Sequence, residues 1–150
     1  GVHLAPGNKQ VAEWVGRGVT PTGKPAAVGL TDTDDAIDEV RAGRPVAIVF
    51  PDTYEGGMGT LFIPNTLMLL KDAPNAEGGR KLIDFLLSAE IERKLAEGPS
   101  AQIPLNPEVK ATLPEAIEAG RKVKAMRVDW EKAADAWQKS QEFLTKEFAV

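Results

Sequence analysis

The chain has 150 residues, of which 18 are basic and 22 acidic, for a net charge of −4. Hydrophobic residues make up 43% and charged residues 27%, an ordinary globular balance that excludes a generally disordered, collagen-like or membrane-spanning chain. An overall basic footprint for nucleic acid is absent. With no cysteine there is no disulfide, thiolate nucleophile, zinc–thiolate knuckle or iron–sulfur cluster.

Residues 1–6 show neither an initiator methionine nor the charged, apolar and small-residue pattern of a secretion signal. The chain is therefore expected to be a processed or excised piece. The single histidine, His3, argues against a multi-histidine metal site or a Ser-His-Asp triad. A first helix is expected over 8–17, capped by Asn8, with Val11, Trp14 and Val15 on its apolar face and Gly16 and Gly18 ending it. Gly7-Asn8-Lys9 at its start is a ready anion site, or simply a cap. A turn-rich connection over 19–25 leads to a short buried strand at 26–30.

Thr31, Asp32, Thr33, Asp34 and Asp35 then read as a strand-to-helix loop, because Thr and Asp are good caps and acids favour the first helical turn. The helix that follows carries Ala36, Ile37 and Val40 on its apolar face and stops at Gly43. Five acids (Asp32, Asp34, Asp35, Asp38, Glu39) crowd this stretch with no base among them. Close carboxylates repel, and a bound cation relieves the repulsion. The competing explanation is capping plus a solvated helix face. The glycine and final glutamate positions do not fit an EF-hand.

Residues 45–50 form a continuous apolar run bounded by breakers, the pattern of a strand buried on both faces. A glycine-rich loop over 51–59 contains the only tyrosine, Tyr54, whose oxygen suits a hard cation or a hydrogen bond. That loop lacks the lysine and serine of a P-loop. Alternatively it is a flexible turn with an exposed ring. A strand pair is expected at 60–63 and 66–70, broken at Pro64-Asn65. After Pro74 comes a helix with Leu82/Leu86 and Ile83/Leu87 paired at i, i+4. Ser88 starts a second helix with Ile91/Leu95. A short edge strand over 102–105 and a short helix over 114–120 follow.

The basic run Arg121, Lys122, Lys124 and Arg127 reads as solvated surface or a partner contact. Asp129 is expected to cap one long final helix whose stripe is Trp130, Ala133, Trp137, Leu144 and Phe148. Trp14, Trp130 and Trp137 are expected as core or docking residues. The order of elements predicts an α/β layered protein.

Several strings form an ordered set: Gly29-Leu30-Thr31-Asp32-Thr33-Asp34-Asp35-Ala36, Pro45-Val46-Ala47-Ile48-Val49-Phe50-Pro51-Asp52 and Gly59-Thr60-Leu61-Phe62-Ile63-Pro64-Asn65-Thr66. Lys81-Leu82-Ile83-Asp84-Phe85-Leu86-Leu87-Ser88 and Gln102-Ile103-Pro104-Leu105 complete it. The series resembles the C-terminal half of substrate-binding proteins of bacterial ABC importers, in the ferric-iron-type branch of the family 1 extracellular solute-binding proteins. The likeness extends over about residues 7–148.

That resemblance implies the type II periplasmic-binding-protein fold, here a three-layer α/β/α fragment. Residues 1–63 would belong to the second lobe and carry the ligand-facing loops. Residues 64–150 would supply the return crossing and C-terminal helices of the first lobe. It implies a non-catalytic receptor that traps its solute by lobe closure and presents it to a membrane permease, in the periplasm or anchored outside a Gram-positive cell. Expected ligand contacts are Asn8, Thr31, Asp32, Thr33, Asp34 and Tyr54, with Asp34, Asp35 and Tyr54 as metal ligands and Fe(III) as the transported ion.

Iron-binding members carry adjacent tyrosines where this chain has Asp34 and Asp35, which are still hard oxygen ligands. Metal-free relatives bind phosphonates, thiamine, polyamines or sugars. With the family's N-terminal half missing, the later helices would expose apolar faces, so a homodimer or swapped arrangement is expected, with weak ligand binding. Two other readings remain: an enzyme on the same fold using the Asp34/Asp35 pair as acid and base, and a stand-alone interaction domain.

Overall fold

The computed structural model describes residues 1–148; the last two residues of the expected second segment lie outside them. Helix α1 runs Asn8–Arg17 and ends at Gly18, whose left-handed backbone (φ 72°) turns its N–H back onto the Trp14 and Val15 carbonyls. Gly16 does not end the helix. It lies buried within it, against the Glu39 side chain. Asn8 is not the cap either: Gly7 is, and no side chain accepts from the first turn.

Helix α2 spans Thr33–Arg41, capped by Asp32 and followed by Gly43 at φ 72°. Asn75 caps α3 (Ala76–Leu86) by accepting the Gly78 N–H at 3.0 Å. Ser88 caps α4 (Ala89–Glu97) through the Ile91 N–H at 3.4 Å. A short α5 (Glu115–Glu118) tightens into a 3₁₀ turn over Ala119–Lys122. Asp129 caps as expected, accepting the Lys132 N–H at 3.1 Å, but the expected long helix is two: α6 (Trp130–Asp135) and α7 (Trp137–Phe148), divided at Ala136.

The core forms around the contact of α2 with α5. Ile37, Ala96, Ala101, Leu113 and Ile117 are buried together, with Val40, Ile48, Ile103, Ala111 and Ala116 packed around them. Helix α1 packs on α2, and α2 on α5. Ile37 is thus the anchor that fixes the α2 start relative to the rest of the molecule.

The expected three-layer α/β/α arrangement is not what the chain forms. Among the described residues there is no sheet, only two isolated bridges, Val19 with Pro25 and Thr60 with Ala125. The segments expected as strands are present without partners. In 45–50 the side chains alternate as a strand's would: Val46, Ile48 and Phe50 are half-buried, Ala47 and Val49 exposed. Its outer face has no neighbour, so Val49 is 79% exposed.

Segment 26–30 leaves Val28 and Leu30 in solvent. The pair expected at 60–63 and 66–70 does not form; Thr60 bridges instead to Ala125, donating its N–H to the Lys124 carbonyl at 2.9 Å and accepting the Met126 N–H at 2.8 Å. Residues 102–105 form no strand. A strand is stable only when another backbone satisfies its N–H and C=O groups, and apolar alternation alone does not provide one. Trp130 and Trp137 are exposed rather than core, as are the other residues of α6 and α7.

Candidate functional site

Two helix starts come together at one place. Gly29 is the hinge of the geometry: a Cβ there would collide with Val11 and Val15 of α1, so only glycine lets this segment cross the helix closely. The crossing delivers Thr31 to the start of α1, where its hydroxyl donates to the Asn8 carbonyl at 2.9 Å. The Asn8 side-chain amide in turn donates to the Asp32 carboxylate at 2.5 Å. Asp32 also accepts the Asp35 N–H at 3.3 Å, as a cap does. Asn8 thereby locks the start of α1 to the start of α2.

The carboxylates of Asp32, Asp34 and Asp35 converge there, each with an oxygen within 4.8 Å of the others. Asp32 is exposed; Asp34 and Asp35 are half-buried. Partial burial works against the charge of Asp32, but the bonds from Asn8, Asp34 and the Asp35 N–H outweigh it and hold this group below the ordinary carboxylate range. Asp34 is raised, first by burial and then by sharing a hydrogen bond with the Asp32 charge. Asp35 is pushed up to about 6, by burial and by the Asp32 and Asp34 charges, with Lys9 opposing. The turn is therefore short of positive charge. Its chemistry is that of an oxygen-rich acceptor for an ammonium group or a hard cation.

The rest of the expected acidic cluster does not join it. Glu39 pairs with Arg44 at 3.7 Å, and Asp38 is exposed. Thr33 opens α2 and is half-buried. Lys9, whose charge acts on Asp35, and the Asn8 amide, whose expected role was a local cap, belong to the site for a reason no local pattern carries: their partners lie more than 20 positions away along the chain.

Tyr54 lies in the glycine-rich loop. That loop closes on itself through backbone hydrogen bonds. The Gly57 N–H donates to the Tyr54 carbonyl at 3.0 Å, the Gly59 N–H to the Asp52 carbonyl at 3.1 Å, and the Lys124 ammonium to the Gly57 carbonyl at 2.6 Å. Gly59, at φ 92°, lies so close to the Lys124 and Ala125 backbone that a Cβ would overlap it. The glycines thus serve an internal clasp, and the Tyr54 ring is 68% exposed. Among the described residues no hydrogen bond joins it to the acidic turn. The basic run is divided as well: Arg121 pairs with Glu118 at 3.6 Å while Lys124 closes the clasp.

No family model matches this chain, and no solved structure does. A stretch of 52 residues is 40% identical to proteins of Salmonella typhimurium, Salmonella paratyphi A and Salmonella typhi that carry the provisional name 2-aminoethylphosphonate-binding periplasmic protein. The match covers 35% of this chain and 15% of the length of each relative. Among the described residues no helix is long and apolar enough to cross a membrane. The likeness is to a periplasmic solute-binding protein, and the relatives' name speaks of an aminophosphonate rather than of iron.

Proposed function

We propose that this chain is part of the solute-binding receptor of a bacterial ABC importer, a periplasmic and non-catalytic component that hands a small solute to a membrane permease. The observation that carries the reading is the convergence of three carboxylates beside a helix start whose first N–H groups no side chain caps, in a chain with a stretch similar to a periplasmic binding protein. A ligand with an ammonium group and an oxyanion, such as 2-aminoethylphosphonate, suits both halves of that junction. Its ammonium would sit against Asp32, Asp34 and Asp35. Its phosphonate would face the free N–H groups at the start of α1, with Lys9 nearby, where the helix dipole favours an anion.

The test is an amide NMR titration of the chain with millimolar 2-aminoethylphosphonate, with inorganic phosphate and ethanolamine as half-ligands. The expected result is shifts at residues 7–9 and 31–35, abolished for the ammonium half in the Asp34→Asn, Asp35→Asn double variant. Shifts confined to other regions, or none with any of the three, would overturn the assignment. A second reading, with Fe(III) as cargo, rests on the same carboxylates as hard ligands. Line broadening of residues 32–35 by ferric citrate, without any response to the aminophosphonate, would favour it.

A further inference from the structure

We draw no further inference here: the strongest candidate, the uncovered apolar surface that Val28, Leu30, Val49, Ile63 and Met68 form on the extended segments, carries nothing because nothing in the structure shows what covers it.

Discussion

Asp35 bears the cost of crowding at the α2 start. In the unfolded chain it ionises near the ordinary 3.8; in the folded chain it does so at about 6. The fold therefore holds this proton more tightly than the unfolded chain does. The stability it contributes is complete below about pH 3.8 and is lost as pH rises through 6. A side-chain carboxyl NMR titration should give a midpoint near 6 for Asp35, and a midpoint at the ordinary value would contradict the convergence. Asp32→Asn should lower that midpoint, because it removes a neighbouring charge, yet leave it above 3.8, because burial remains.

The same residue separates charge from capping. Asp32→Ala removes the acceptor for the Asp35 N–H and the partner of Asn8, and should cost roughly 0.5–2 kcal/mol, less whatever the relieved repulsion returns. Asp32→Asn keeps a capping oxygen and should cost less. Chemical denaturation of the two variants measures the difference, and equal losses would mean that the cap contributes nothing. The turn itself was legible in sequence because caps and acid clustering are local. That Asn8 and Lys9 join it was not, since it depends on how α1 crosses segment 26–30.

At the scale of elements, what was legible divides by range of interaction. Asp32, Ser88 and Asp129 cap helices where their spacing to the following N–H predicts, and Gly18 and Gly43 adopt the left-handed backbone that ends α1 and follows α2. Each of these contacts closes within four residues, so the local sequence contains both partners. The segment 45–50 has equally clear strand character, and half of it is realised: the alternation places Ile48 against the core. The other half needs a neighbouring backbone, and composition says nothing about where one is.

The asymmetry predicts how substitutions divide. Ile37→Ala, within the buried cluster and 1% exposed, should cost about 2–5 kcal/mol. Leu30→Ala, 88% exposed on an unpaired segment, should change stability by about 0.5 kcal/mol or less. Thermal unfolding followed by circular dichroism compares them. A Leu30 variant as damaging as the Ile37 variant would mean that segment 26–30 is packed in solution.

For the whole molecule the accessible surface is 11609 Å². A compact monomer of 16.1 kDa exposes about 7,400 Å² by the size scaling of globular proteins. The surplus, roughly 4,200 Å², is several times the ~800 Å² per partner of a standard protein interface. It includes Val28, Leu30, Val49, Ile63, Met68 and Leu70, together with Trp130, Trp137 and Phe143. Exposed apolar side chains beside unpaired backbone favour association. Light scattering across a wide concentration range should therefore give a mass above 16.1 kDa that rises with concentration. Replacing Val28, Leu30 and Val49 by aspartate should lower the mass while leaving the buried Ile37 cluster intact. A constant monomer mass would mean that these segments fold onto one another in solution, and that the missing sheet is closed by the chain itself.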